Sequence, residues 1–381
     1  MVNQVDSIKQ GWQDRLVNST LLMPRDHSNG RINRAGDFLG GRTPWPDDEI
    51  DFDLQLEDHL NVIDSWRVLH AFPLVEVHEE LKRRAEIIDG KSLTAGRLKR
   101  FPSIQAKLRA EPNMALTNMQ DIAGCRAVLS STSDVYLLKA KYEQQPIVYI
   151  NAEIRPSVGY HIQSKWTKDY ISHPKETGYR GIHLVVQFDS KHKALDTLDG
   201  LRVEIQLRSR LQHAWAMAVE TAGIATGQAL KAGDGDSDWI RFFKCMSAVI
   251  ALREEPPVVD PRTDIVKLRA ETSRLAKELK VIPLLEGMSH IVEHIVATEG
   301  DSHFLMVMDS AHGKADVVGF KQNDFENANK QYQITDAKHR ADPRIQVALV
   351  SVDSINHLRV AYPSYFMDSR NFVDIVRDQI D

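Results

Sequence analysis

A chain of 381 residues with 42% hydrophobic content is long enough to bury a full core and to hold two or three domains. Its net charge of −5 means that any basic feature is local, and its two cysteines, Cys125 and Cys245, exclude a disulfide framework and a cysteine zinc cluster. The start, MVNQVDSIKQGWQDRL, has no apolar signal core and no run of 18 apolar residues occurs, so a cytoplasmic protein without membrane insertion is expected.

Residues 24–46 are rich in Gly, Pro and Asn and read as loop with a short helix in the middle. A helical pattern starts at Asp47, with Ile50, Leu54, Leu56, Val62, Ile63 and Trp66 on its apolar side, and a second helix is predicted from Pro73 to Ile88. Between Lys82 and Arg109 the cations Lys82, Arg83, Arg84, Lys91, Arg97, Lys99, Arg100, Lys107 and Arg109 face only Glu86 and Asp89. That local excess suits an anion, although a solvated basic helix has the same composition. Ser103 follows Pro102 as at a helix start, and Lys107 lies one turn on, so hydroxyl and ammonium are expected on one face at the helix's positive end, where phosphates bind well.

Asp121 to Leu129 read as a strand opening on an acid, with Gly124 permitting close backbone approach and Arg126 following; Asp121 equally suits a turn or a cap. Further on, Gly178-Tyr179-Arg180 offers an exposed aromatic ahead of an apolar strand that carries His183, which can be structural or catalytic. Lys175 reads on its own as a loop cation. In LRVEIQLRS, Val203, Ile205 and Leu207 alternate with Glu204, Gln206 and Arg208, so one face is apolar and the other can hold a cation beside a phosphate, or can simply be solvated. His213, Trp215 and Glu220 follow at helical spacing and read as packing and helix-surface pairing.

A glycine-rich linker, Lys231 to Ser237, precedes a helix from Trp239 to Leu252, then Pro256-Pro257 and an amphipathic bracing helix from Thr263 to Leu279, with Ile265, Leu268, Leu275 and Leu279 as core positions. Beyond Ser302 two strands (FLMVMDS and ADVVGF), a helix through Phe325 and Tyr332, the strand IQVALVSVDS and a helix from Arg370 to Ile380 form a small α+β unit. The expected division is 1–46 extension and loop, 47–258 main domain, 259–300 helical connector and 301–381 carboxy-terminal unit, suited to a regulatory partner or to structure alone.

Two carboxylates, Asp121 and Glu204, with separate lysines and arginines are what phosphoryl-type transfer on magnesium requires, because that chemistry is mostly positioning and charge stabilisation. The blocks SIQAKL, DIAGCRAV, DYISHPKETGYRGIHLVV and VEIQLRSRLQHAWAMAVE resemble, in order and spacing, the synthetase domain of the RelA/SpoT alarmone synthetases over roughly Trp66 to Glu255. The resemblance implies an α+β fold, a mixed sheet flanked by helices, and transfer of the β,γ-pyrophosphate of ATP to the 3′-hydroxyl of GDP or GTP in the stringent response. It further implies Arg97, Lys99, Ser103, Lys107 and Arg126 on ATP, Asp121 and Glu204 on magnesium, and Glu204 as acceptor of the hydroxyl proton. Tyr179 would stack on the acceptor base, and Lys175, His183, Gln206 and Arg208 would serve acceptor or phosphate groups. The HDxxED-like motif of the family's hydrolase domain is absent, which implies a synthetase-only member; family members often form homo-oligomers. Two alternatives stand beside this reading: a toxic relative modifying the tRNA 3′ end or making adenosine alarmones, and a non-catalytic nucleotide sensor.

Overall fold

The computed structural model describes residues 26–44, 49–144, 147–149, 158–162, 167–190, 193–254, 264–288, 292–309, 311–339, 342, 344–352, 354–361 and 369–380. The amino-terminal stretch read for a signal core, the ends of the 24–46 loop and Pro256-Pro257 lie outside them.

Helix α1 (Asn29–Leu39) is the short helix expected within the loop; the Ser28 side chain caps it by accepting from the Arg31 N–H. Helices α2 (Glu49–Leu69) and α3 (Ala71–Ile88) follow, with Val62, Ile63 and Trp66 of α2 and Leu74, Val77, Leu81 and Ala85 of α3 buried, while Leu54 stays exposed. After β1 (Leu93–Leu98) and α4 (Phe101–Ala110) come β2 (Ala123–Leu129) and α5 (Thr132–Gln144). Then come β3 (Ile147–Tyr149), β4 (Val158–Ile162), β5 (Lys168–Asp169), β6 (Ile182–Ser190) and β7 (Arg202–Ser209). Helices α6 (Arg210–Thr226), α7 (Ser237–Arg253), α8 (Ile265–Glu278) and α9 (Val281–Met288) lead into β8 (Val292–Val296), β9 (Asp301–Asp309) and β10 (Lys314–Lys321). Helix α10 (Phe325–His339), β11 (Ile345–Ser351), α11 (Ile355–Ala361) and α12 (Arg370–Ile380) complete the order.

The strands form one mixed sheet in the order β3-β4-β6-β7-β2-β1-β11-β9-β10-β8, with β5 paired to β6. β2 and β7 run parallel, as do β8 and β10; the other pairs are antiparallel. One face is apolar: a Cβ on Gly96 would meet Leu74 and His78 of α3, and Cys125, Leu184, Ile205 and Leu207 join the same core. Because strand side chains alternate, Arg97, Arg126, His183, Glu204, Gln206 and Arg208 fall on the opposite face. At one end that face is roofed by a second core of α6, α7, α8, α9 and α12, in which Trp215, Phe242, Phe243, Leu275 and Phe372 are buried. The bracing helix thus buries Leu275, half-buries Leu268 and Leu279, and leaves Ile265 exposed.

Two features depart from the expected division of the chain. The stretch 259–300 contains the strand β8, which the mixed sequence VEHIV conceals because its pairing is with the distant β10. Residues after Asp301 add their strands to the central sheet: β11 pairs with β1 at Gly96↔Ser351 and Arg97↔Val350, and Phe325, Tyr332, Val347 and Leu349 enter the main core. Local patterns reveal strands but not their partners.

Candidate active site

Glu204, Gln206 and Arg208 occupy successive outward positions of β7, and His183 sits directly opposite Gln206 on β6. The Glu204 carboxylate lies 3.0 Å from His183 Nδ1 through Oε1 and accepts from Gln206 Nε2 at 2.6 Å through Oε2. Gln206 Oε1 accepts from Arg208 Nη2 at 2.8 Å, and Arg208 Nε donates to the Tyr179 hydroxyl at 3.2 Å. A 2.6 Å bond between that hydroxyl and His183 Nε2 closes the ring. Arg208 is buried, and its Nη1 has no hydrogen-bond partner among the described residues, so one donor of the guanidinium is left for a ligand.

Burial opposes charge on all three titrating members of the ring, and neighbours decide the outcome. Burial would raise Glu204, but the His183 charge and hydrogen bond hold it far below the usual carboxylate range. Burial would lower His183, yet Tyr179 and Glu204 lift it to about 9. The Tyr179 phenol, also opposed by burial, is brought down to about 8 by Arg208 and His183. At neutral pH the ring therefore holds a carboxylate, an imidazolium and a neutral phenol.

Asp121 stands beside this ring. Its two oxygens accept from Lys99 at 2.7 Å and Lys107 at 2.9 Å. Burial would raise it, but Lys99 and Lys107 outweigh both burial and the Glu204 charge. The Glu204 carboxylate acts on Lys107 as well, which places both carboxylates and this lysine within electrostatic reach of one another. The sheet register extends the grouping: Arg97 and Glu204 flank Gly124 from either side, and Arg126 is directly opposite Gln206. No side chain rises from the saddle at Gly124.

The structure corrects three local expectations. Asp121 is not on the strand but two residues ahead of β2, just before the bend at Ile122, in keeping with the turn that its sequence equally suits. Lys107 is in the last turn of α4, the negative end of its dipole, while Ser103 is in the first turn; in a helix of only ten residues one turn is enough to carry a side chain from the first turn to the last. Tyr179 is half-buried rather than exposed, because its ring lies against Trp215 and Tyr170 and its hydroxyl is tied down. Lys175 is exposed, with its ammonium 4.7 Å from the Tyr170 ring centroid and 5.4 Å from that of Tyr179. His213 and Trp215 are buried as packing residues, and Trp215 Nε1 donates to the Phe243 carbonyl.

Sequence reasoning missed Tyr170, which meets both Tyr179 and His183 edge-on; its signal was an aromatic just before the loop that carries Tyr179. It also missed that Glu220 is more than helix-surface pairing. Burial would raise this carboxyl, but Lys231, Arg97 and Arg100 bring it to about 2. Lys231, whose side chain is largely exposed, donates to Glu220 at 3.4 Å, which supports its charge, while the crowding of Arg97, Arg208 and Arg100 works against it and lowers it. Three cations thus act on one carboxylate, and Arg208 adds to the positive field at Lys231.

Among the described residues no three His, Cys, Asp or Glu side chains group as a closed metal cage, and no helix is long and apolar enough to cross a membrane. The family described as the region found in RelA / SpoT proteins matches residues 96–225. The GTP pyrophosphokinase YwaC of Bacillus subtilis is 30% identical over 179 residues, covering 42% of this chain and 76% of that protein. The GTP pyrophosphokinase YjbM of the same organism is 31% identical over 127 residues, 32% of this chain, so this chain spans about half (51%) of that relative's length. Among solved structures, the small alarmone synthetase 2 from Bacillus subtilis aligns at 21% identity over 50% of this chain and 92% of that one, with a TM-score of 0.39. On the strength of these sequence matches, which span the strands and helices that build the polar face, the chain belongs to the RelA/SpoT family.

Proposed function

We propose that this protein is a magnesium-dependent pyrophosphokinase that transfers the β,γ-pyrophosphate of ATP to the ribose 3′-hydroxyl of GDP or GTP. The observation that carries the reading is the pairing of two neighbouring carboxylates, Asp121 and Glu204, with two lysines on one and an imidazolium and an amide on the other. The two Bacillus subtilis relatives are GTP pyrophosphokinases, which agrees with it.

The residues fit a magnesium ion. Asp121 and Glu204 repel each other, and Lys99 and Lys107 supply the compensating charge. Magnesium is held through one or two carboxylates and keeps its waters, so an open pair suits it better than a cage. When bound it would neutralise charge on the transferring phosphates. Lysine stems are flexible point charges, so Lys99 and Lys107 can turn from Asp121 to the donor phosphates, joined by Ser103 and Arg126, with Arg97 against the adenine.

On the acceptor side Tyr179 presents its ring to the base, and Lys175 and Arg208 serve phosphate groups, Arg208 through its unpartnered Nη1. Glu204 accepts a hydrogen bond from the 3′-hydroxyl and aims it in line. Its depressed pKa makes it an orienting acceptor that takes the proton late, which suffices because the transition state of such transfers is loose. His183 holds one Glu204 oxygen and Gln206 the other, so the carboxylate has one orientation.

Incubating the protein with magnesium, γ-labelled ATP and separately GDP, GTP, ATP or deacylated tRNA tests this. Label in a guanosine tetra- or pentaphosphate is expected. Label on tRNA alone would replace the reading with a translation-blocking activity, and binding without transfer would replace it with a sensor.

A further inference from the structure

Lys99 is held at its backbone from both sides. Its N–H donates to the Ile122 carbonyl at 2.7 Å, and its carbonyl accepts from Arg67 Nε at 2.9 Å. Arg67 is 2% exposed on α2, and its Nη1 donates to Asp64 at 2.7 Å. Its guanidinium carbon lies 4.9 Å from the centroid of the Tyr332 ring, on α10 of the carboxy-terminal unit. Tyr332 is itself 2% exposed, and its hydroxyl has no hydrogen-bond partner among the described residues, so its contribution is the ring. A second link lies close by: Arg100 Nη1 donates to Gln346 Oε1 of β11 at 2.7 Å, and Arg100 is the cap residue immediately before α4.

We propose that Arg67 and Tyr332 are positioning residues of the donor site, and that the unit after Asp301 fixes the Lys99–Lys107 segment through the Tyr332–Arg67–Lys99 contact and the Arg100–Gln346 bond. This rests on the proposed assignment of Lys99 and Lys107 to the ATP phosphates.

A buried guanidinium satisfied by Asp64 and one carbonyl still needs its remaining surface covered, and an aromatic face does so with electrostatic attraction. Burial would lower the Arg67 pKa, but Tyr332, Asp64 and Asp336 more than offset it, so the cation persists in the core. With the ring removed, water or a side-chain shift reaches Arg67, the Lys99 carbonyl loses a fixed donor, and the ammonium moves relative to Asp121. The acceptor ring of Tyr179, His183, Glu204 and Arg208 is built on β6, β7 and the loop before them and makes none of these contacts.

The test is a kinetic split in the full chain. Tyr332→Leu is expected to raise the KM for ATP, and the Kd for a non-hydrolysable ATP analogue, about tenfold, as displacement of a phosphate-binding group does. The KM for GDP should change by less than about twofold. Tyr332→Phe, which keeps the ring, should restore wild-type values for both. Gln346→Ala, at a half-buried position, should weaken ATP alone to a smaller degree and serves if Tyr332→Leu does not fold. Unchanged ATP affinity in folded Tyr332→Leu or Gln346→Ala overturns the proposal, as does equal weakening of both substrates alongside a lowered Tm, the sign of a merely structural role. Wild-type protein that binds the ATP analogue but transfers no pyrophosphate overturns the proposed reaction instead, and the binding values then judge the contact separately.

Discussion

The two oxygens of Glu204, the proposed acceptor of the hydroxyl proton, have separate keepers, His183 and Gln206. Glu204→Gln is expected to lower kcat at least about 100-fold, in the range general-base groups contribute, while nucleotide binding stays measurable by titration. Tyr179→Ala should raise the acceptor KM and leave the Kd for ATP unchanged; an unaltered acceptor KM would remove the stacking role. The Tyr179–His183 bond makes a pH prediction with a definite sign. His183, raised from 6.5 to about 9, contributes stability that is complete below 6.5 and lost as pH rises through about 9. Tyr179, lowered from 10.0 to about 8, contributes stability that accrues as pH rises from about 8 through 10.0. From 8 to 9 the two oppose each other, so Tm should stay nearly flat there while kcat/KM for the acceptor falls as the pair gives up its proton. His183→Gln should flatten that limb of the profile. The types of these residues were readable from the alternation of Glu204, Gln206 and Arg208, but their closure into a ring was not. Nothing local in Gly178-Tyr179-Arg180 shows that a neighbouring helix turns the phenol inward.

At the scale of elements, the loop that presents Tyr179 is wedged against α7. Gly178 has φ +90°, and a Cβ there would stand 3.1 Å from the Lys244 backbone and 3.2 Å from Ser247. The Ser247 hydroxyl donates to the Gly178 carbonyl at 2.5 Å and accepts from buried Arg180, whose Nη1 donates to the Ile171 carbonyl at 2.8 Å. Gly178→Ala is expected to cost about 1–3 kcal/mol by denaturant titration and to raise the acceptor KM more than that for ATP. Ser209 both caps α6 in a capping box and donates to the buried Glu254 carboxylate, which also accepts from Gln212 at 2.9 Å. Ser209→Ala should therefore cost more than the roughly 1 kcal/mol of a cap alone. Helices were legible in the sequence because their apolar spacing is local: α12 begins and ends at Arg370 and Ile380 as its pattern says. Strand β8 was not, because VEHIV becomes a strand only through its pairing with β10. Lys107 shows the intermediate case, in which the helix is legible and the end of it that serves the site is not.

For the molecule as a whole, the decisive connection is the seam between β1 and β11. It makes β1 an interior strand, covering an edge that would otherwise offer unpaired backbone groups. Removing residues 301–381 is expected to cause self-association, read by size-exclusion chromatography, rather than to release an active monomer. The four family-like blocks end by Glu220, so they say nothing of this seam. Apolar patterning pointed to a small α+β unit, but only its long-range pairing shows that it shares a sheet with the site.

That seam also sets an order of events during synthesis. β1 is made early, yet its partner β11 follows about 250 residues later, a delay of about 12–50 s at ordinary elongation rates. Through that interval the strand carrying Arg97 has one open edge, and Lys99 lacks the Tyr332 ring behind its anchor. While β11 is still to be made, β2, β6 and β7 can assemble around Glu204 but the β1–β11 seam cannot form. If Lys99 serves the donor phosphates as proposed, full ATP affinity is expected only once Tyr332 and β11 have been made.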